Sequence, residues 1–323
     1  MPIFKLVPAF KDYIWGGKKL VTDYNKEYDG SVLAESWELS CHPDGLSVIT
    51  NGDFKGITLK QYIEQTGRAA LGNDCSRFEE FPILIKFIDA RERLSIQVHP
   101  NNQYALTHEG QYGKTEMWYI ADCKKDAFLY YGFSREIGLT EFRRRIEENT
   151  LLEVLNAVPV QTGDVLFIEA GTIHAIGEGI VIAEIQQNSN LTYRVYDYGR
   201  IGKDGKQRDL DIEKALAVTN RIPIIRSKNC TPHIASCDYF TVDKLNLDGT
   251  LMKKMNGNVS DNSFLSILFL EGSGMIRTEE AAMQFRKGDS FFLTAGSGEY
   301  EVCGDCEALM TSVGKREGVI HVK

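Results

Sequence analysis

The stretch GDVLFIEAG at residues 163–171 returns as GDSFFLTAG at residues 288–296, matching at Gly-Asp, at a central Phe and at Ala-Gly without a gap. The offset is 288 − 163 = 125 residues. That period is too long for a solenoid and points to duplication of a supersecondary unit. The chain is therefore expected to hold two related β structures. Three residues beyond the first copy stands His174, where the second has Glu299. If the first copy is a metal site, the second has lost a ligand and is structural.

The surroundings of the first copy are rich in strand formers. Residues 165–168 and 180–185 are apolar and β-branched, as buried strands are, and Gly171, Gly177 and Gly179 supply turns. The local expectation is a hairpin: one strand, a glycine turn carrying His174, and a second strand ending near Glu184. A polar run then leads to Arg194.

Length and composition bound the rest. At 323 residues the chain can bury a large core and is expected to fold as two domains, with one large β domain carrying helical insertions as the alternative. The division is placed at 1–225 and 226–323. A formal charge of −8 speaks against nonspecific nucleic-acid binding, which needs clustered Lys and Arg. The start, MPIFKLVPAF, lacks a charged-then-apolar leader, and runs such as FPILIKF are too short to span a membrane, so the expected location is the cytoplasm. Seven cysteines at irregular spacing read as reduced thiols, Cys303 and Cys306 included.

Along the chain, Trp15 precedes two glycines, and residues 34–40 alternate as a half-buried strand does. Residues 57–71 have helical spacing, with Leu59, Tyr62 and Ile63 on one side before Gly72. The apolar strand of residues 81–88 is interrupted by Lys86, which either reaches solvent at a strand end or points into a site. In residues 94–100, alternation puts Ser95, Gln97 and His99 on one face, and in residues 113–120 it puts Lys114, Glu116 and Trp118 together. A helix with a Thr140 cap follows, its apolar stripe running from Phe142 through Ile146, Leu151 and Leu152 to Leu155. Residues 209–213 cap a short helix ending at Val218, and beyond Arg226 the chain is again strand-rich, at residues 239–247 and 264–269.

Gln97, His99, Glu116 and His174 form a four-ligand set. Two imidazoles and a carboxylate suit a borderline divalent ion with room for substrate. The bland alternatives are a hydrogen-bonded strand histidine and a Glu116–Lys114 ion pair. His42, His108, His233 and His321 lack comparable settings.

The order of these segments, repeat included, resembles a cupin, a double-stranded β-helix barrel of mainly β structure. More specifically, residues 94–100, Lys114-Thr115-Glu116-Met117 and the run from Glu184 to Arg194 resemble the zinc-dependent type I mannose-6-phosphate isomerases, in their short bacterial branch. The likeness extends from Trp15 to about Gly199, and more weakly over the C-terminal part. It implies two cupin barrels with short helical insertions, the second lacking the metal site. It also implies one zinc per chain on Gln97, His99, Glu116 and His174, with catalytic roles for Arg194, Lys114 and Glu184. Lys86 and Ser95 match groups near the substrate. The implied partner is a small sugar phosphate, and the implied assembly a monomer or weak homo-oligomer.

Aldose–ketose conversion moves a proton between C1 and C2 through an enediol, so the site must take a weakly acidic C–H proton and stabilise a negative oxygen. Glu184, a lysine or zinc-bound water are the open choices for the proton shuttle, and Lys86 with Arg194 are the cations available to a phosphate. Two His and one carboxylate also describe non-haem iron oxygenases of the same fold. Gln97 and the basic residues count against that reading, and a non-catalytic sugar-phosphate-binding module is the third possibility. No dinucleotide fingerprint supports hydride transfer.

Overall fold

The computed structural model describes residues 3–202, 205–224 and 232–314. Cys230, Arg226, His321 and the division expected at 225 lie outside the described residues. The protein is mainly β, with three sheets of six, five and nine strands among the described residues.

The repeat seen in the sequence is a repeat in space. Val165–Ile168 and Ser290–Leu293 are the corresponding strands, again 125 residues apart. Each begins after a glycine of positive φ, 92° at Gly163 and 89° at Gly288. In each the following aspartate accepts from the backbone three residues earlier, Asp164 from Gln161 N at 3.0 Å and Asp289 from Arg286 N at 3.0 Å. The pairing repeats too. Val165–Ile168 pairs with Glu116–Cys123, which pairs with Ile180–Gln187 and through it with Ile83–Ala90. In the second copy Ser290–Leu293 pairs with Leu265–Thr278, then Gly298–Ser312, then Thr241–Asp248. The C-terminal sheet also takes in Ile3–Val7 from the beginning of the chain, on the free side of Ser290–Leu293.

This topology overturns the hairpin. Glu116–Cys123 lies between Val165–Ile168 and Ile180–Gln187, and His174 belongs to a two-residue strand of the other sheet, paired with Ile96–Val98. The segment of residues 163–200 crosses between the six- and five-stranded sheets at every strand. Local sequence favours strands and turns but does not choose their partners, and here burial between two facing sheets makes the choice. Ile180–Gln187 also continues three residues past Glu184.

Side-chain alternation explains the layers. In Ile180–Gln187, Val181, Ala183 and Ile185 pack outward with Phe4, Leu268 and Phe292 of the nine-stranded sheet. Ile180 and Ile182 pack inward with Trp118, Leu129 and Tyr131, between the six- and five-stranded sheets. Both faces are covered, so the strand is buried at every position and its sequence is an apolar run broken only at Glu184, Gln186 and Gln187. Glu35–Leu39 is likewise buried at all five positions rather than half-buried. The outer face of the five-stranded sheet is closed by Leu139–Glu147 and Ile212–Val218, through Phe142, Ile146, Ala215 and Leu216.

The helices differ from expectation mainly at their ends. Leu59–Thr66 starts in a capping box between Thr58 and Gln61 and stops at Gly67, φ 88°, before a 3-10 turn carries the chain to Leu71. The N-cap of Leu139–Glu147 is Gly138 rather than Thr140, and its stripe ends in a 3-10 turn at Leu151–Val154. Asp211 holds the N-cap position of Ile212–Val218, but its side chain accepts from Arg194 N at 3.1 Å instead of capping.

The two repeat glycines give a paired stability test. A Cβ at Gly163 would find its nearest neighbour 3.7 Å away, whereas one at Gly288 would fall 2.0 Å from the Tyr24 carbonyl oxygen. Positive φ costs an alanine about 1–2 kcal/mol at either place. Gly288→Ala must in addition displace backbone and disturb the Lys26 Nζ bond to Gly288 O. Thermal unfolding should show the larger loss for Gly288→Ala, and equal losses would mean that the chain around Tyr24 yields freely.

Candidate metal centre and active site

Cross-strand register builds the site. On the six-stranded sheet Trp37 lies opposite Lys86, Lys86 opposite Glu184, and Glu184 opposite Trp118. On the facing sheet Arg194 lies opposite Gln97, and Gln97 opposite His174. Residues opposite one another in antiparallel strands share a face, so each sheet presents one polar row. The rows meet where the Trp118 and His174 rings stand 5.2 Å apart, edge to face. His99 follows two residues after Gln97, and Glu116 begins its strand opposite Gln186 and Ile168.

His99, Glu116 and His174 converge, with one ligand atom of each within 4.8 Å of the others. All three are buried, Glu116 and His174 at 0% exposure. His99 Nδ1 is 2.8 Å from Leu191 O, and His174 Nδ1 is 2.9 Å from Thr172 O. A carbonyl only accepts, so both rings carry their proton on Nδ1 and turn the Nε2 lone pair inward. Those nitrogens stand 3.8 Å and 3.3 Å from the Glu116 oxygens. Neither Glu116 oxygen has a donor in hydrogen-bonding geometry, although Lys114 Nζ reaches Oε2 as an ion pair at 2.6 Å. Converging lone pairs on a buried carboxylate call for a cation.

Protonation states agree with that donor set. Burial, then Lys114 and His174, hold His99 well below the usual imidazole range, and burial lowers His174 to about 4. Both rings are neutral at pH 7, as ligands must be. Burial and then the Glu184 charge push Glu116 up to about 7. With all five groups ionised, Lys86 and Lys114 against Glu35, Glu116 and Glu184 sum to 2 − 3 = −1, an imbalance that a divalent ion reverses and that its binding would favour by holding Glu116 deprotonated. A mixed N/O donor set of this kind fits a borderline divalent metal.

Glu184 is the hub of the other row. Its Oε1 lies 3.4 Å from Lys86 Nζ and 3.5 Å from Lys114 Nζ, and its Oε2 accepts from Trp118 Nε1 at 2.9 Å. Burial pushes this carboxyl up, but the two ammonium groups outweigh it and hold the group below the usual carboxylate range. Of the two readings of Lys86, the structure gives the one aimed into the site, at 3% exposure. Burial lowers its pKa, yet Glu35 and Glu184 overcome that and the ammonium is held above its ordinary value.

Of the site residues expected from the sequence, Lys86, Glu184, Gln97, His174 and Arg194 lie on these rows, and His99, Glu116 and Lys114 lie within ion-pair distance of one another beside them. Gln97 is half-buried with Nε2 3.4 Å from His174 Nε2, and turning its amide over presents Oε1 at the same place. Ser95 is buried two residues before it. Arg194 is half-buried, donates from Nη1 to Asp209 O at 3.2 Å and leaves Nε without a partner. The sequence reading passed over Glu35 and Trp37. Trp37 Nε1 donates to Glu35 Oε2 at 2.7 Å, and Lys86 Nζ sits 3.6 Å from that oxygen and 5.0 Å from the Trp37 ring. The available signal was Glu35 and Trp37 two apart on a strand, hence on one face. His42 packs against Trp37, His108 stacks on Tyr104, and His233 pairs with Asp243.

In the second repeat the register places Leu265, Ile267 and Met310 where the first has Glu116, Trp118 and Glu184. These three pack into the apolar core of the C-terminal sheet. No helix among the described residues is long and apolar enough to cross a membrane.

Comparison with known proteins agrees with this geometry. Residues 3–131 match the family model for the phosphomannose isomerase type I catalytic domain, and residues 229–313 match that for the mannose-6-phosphate isomerase cupin domain. The chain is 38% identical to mannose-6-phosphate isomerase ManA of Bacillus subtilis, over 96% of this chain and 98% of that one. It is 35% identical to a mannose-6-phosphate isomerase of Streptococcus mutans, over 92% and 93%. A crystal structure of the mannose 6-phosphate isomerase from Bacillus subtilis superposes with a TM-score of 0.87 at 32% identity, over 96% of this chain and 99% of that one. A duplicated β scaffold, one copy of which keeps a buried donor set suited to a divalent ion, and relatives matched over nearly their whole length together show that the chain belongs to the type I mannose-6-phosphate isomerase family.

Proposed function

We propose that the site interconverts mannose 6-phosphate and fructose 6-phosphate, with zinc held by Gln97, His99, Glu116 and His174. The observation that carries this reading is the position of two Nδ1-anchored imidazoles and the buried Glu116 carboxylate directly beside the Lys86–Glu184–Lys114 cluster. A divalent ion bound there supplies Lewis-acid polarisation of the sugar's carbonyl and hydroxyl oxygens.

The chain's own groups do the rest. Glu184 Oε1 and Lys86 Nζ, 3.4 Å apart, form an acid–base pair able to hold the proton that leaves one carbon and returns to the other. Lys114 and Arg194 add positive charge as the enediolate forms. Lys86 is already flanked by Glu35 and Glu184, whereas Arg194 has no carboxylate in ion-pair contact among the described residues. Arg194 is therefore the cation free to meet the substrate's negative charge. Lys86 and Ser95 line the sugar. In this reading residues 1–225 carry the chemistry, and residues 226–323, their sheet extended by Ile3–Val7 and Val48–Ile49, form a second barrel without a metal site, as Leu265, Ile267 and Met310 suggest. One zinc per chain, a monomer or weak homo-oligomer and a cytoplasmic location complete it.

A coupled assay between the two sugar phosphates, run with and without chelator, tests the reading. Activity should vanish on metal removal and return with zinc, and full turnover by metal-free protein would refute the metal's role. Arg194→Ala should keep its zinc and lose about 10²–10³-fold in turnover. Unchanged turnover would remove Arg194 from the mechanism.

A further inference from the structure

Arg194 stands on a support that the proposed mechanism does not use. Its strand, Tyr193–Tyr196, runs into Asp197, Tyr198 and Gly199, and the latter two both have positive φ, 58° and 70°. A tyrosine in that conformation is uncommon and needs neighbours to hold it. Arg93 lies over its ring at 3.8 Å and Arg200 at 5.6 Å, and Tyr196 meets it edge to face at 4.9 Å. Asp197 is the centre of the turn. It is buried at 6% exposure. Its Oδ1 accepts from Arg200 Nη2, from Arg200 Nε at 3.0 Å and from Arg208 Nη2 at 2.6 Å, while Oδ2 accepts from Arg208 Nε at 2.7 Å. Arg200 Nη1 is tied in turn to Arg93 O at 2.7 Å.

Through Arg208 this carboxylate fixes the returning arm of the loop, and Arg194 leans on that arm. Arg194 Nη1 donates to Asp209 O, its N–H donates to Asp211 Oδ2 at 3.1 Å, and its carbonyl accepts from Asp211 N at 2.7 Å. The Asp209 carbonyl is the only hydrogen-bond partner of the guanidinium among the described residues. Its placement therefore follows the position of residues 208–211, and a bidentate Asp197–Arg208 pair is a rigid way to set that position.

We propose that Asp197 is a positioning residue for the isomerisation: by clamping Arg208 and Arg200 it orients Arg194 toward the sugar phosphate beside Gln97. The proposal rests on Arg194 acting in the reaction, and the test separates the two. Asp197→Asn keeps the shape and removes the charge that holds both guanidinium groups. In zinc-loaded enzyme, Asp197→Asn should lower kcat/KM for mannose 6-phosphate by about tenfold or more, with zinc content unchanged. Against an Arg194→Lys background the same change should cost less than about twofold further, because the group it positions is already displaced. Arg208→Gln should reproduce the Asp197→Asn defect and not add to it.

If Asp197 acted only on the local field, its loss would leave extra positive charge and raise kcat/KM for a doubly negative substrate. That result, or losses that multiply with Arg194→Lys, would overturn the proposal. So would wild-type kinetics in Asp197→Asn. An Arg194→Lys enzyme with unchanged turnover would instead remove the underlying role of Arg194. If Asp197→Asn fails to fold, Arg208→Gln in the same cycle carries the test.

Discussion

His174→Ala is expected to strip the metal from the protein and abolish isomerisation while leaving the C-terminal sheet folded. His174 Nε2 is 3.3 Å from Glu116 Oε1, and its ring is fixed from behind by the Thr172 carbonyl. Alanine removes one of the two imidazole donors that converge on Glu116. The loss of one imidazole leaves a single ring, a carboxylate and the weakly donating Gln97 amide, a set with one strong nitrogen donor where the intact site has two. Elemental analysis after gel filtration should find less than about a tenth of the wild-type zinc, and turnover should fall by at least about 10³-fold. The nine-stranded sheet has its own apolar core, including Phe269, Phe291 and Val302, none of which depends on His174. Near-UV circular dichroism and the main unfolding transition should therefore survive. Activity lost with zinc fully retained would make His174 a catalytic group rather than a ligand.

The residues of that site were legible in the sequence because alternation on a strand is a geometric fact. Ser95, Gln97 and His99 share a face whatever the strand pairs with, and so do Lys114, Glu116 and Trp118. The gapless repeat likewise carried over to the same turn, the same aspartate bond and the same strand pairing in both copies. What alternation does not carry is the identity of the neighbour. The hairpin expected around His174 failed for that reason, since the inserted strand, Glu116–Cys123, lies some forty residues upstream of its partner Val165–Ile168.

Other features were hidden by burial or by small energies. In Glu35–Leu39 both faces are covered, so polar residues there did not mark a solvent face. Glu35 points toward Lys86, while Glu38 pairs with buried Lys26 at 2.7 Å. Capping differed by a residue or two because several nearby groups compete within about 1 kcal/mol. Asp197 and its two arginines are spaced irregularly on a loop, where no periodicity exists to reveal them.

Glu184→Gln is the second change with a large expected effect, and its two consequences must be separated. The carboxylate lies between Lys86 and Lys114 in a buried site, so the amide leaves those ammonium groups with one negative charge fewer. Removing one partner of a buried pair costs about 3–5 kcal/mol, mostly from the charge left behind. The chemical consequence is separate: an amide cannot take the proton from the substrate carbon, and turnover should fall by about 10²–10⁴-fold. Stability alone would give the same inactive preparation if the protein unfolded. Lys86→Met in the same chain removes the charge left behind, and should restore much of the melting temperature of Glu184→Gln. It should not restore turnover, since both members of the acid–base pair are then absent. Zinc content should stay near one per chain in both proteins, because neither side chain is in the ligand set. Recovery of activity together with stability would show that Glu184 holds the fold around the site and takes no part in moving the proton.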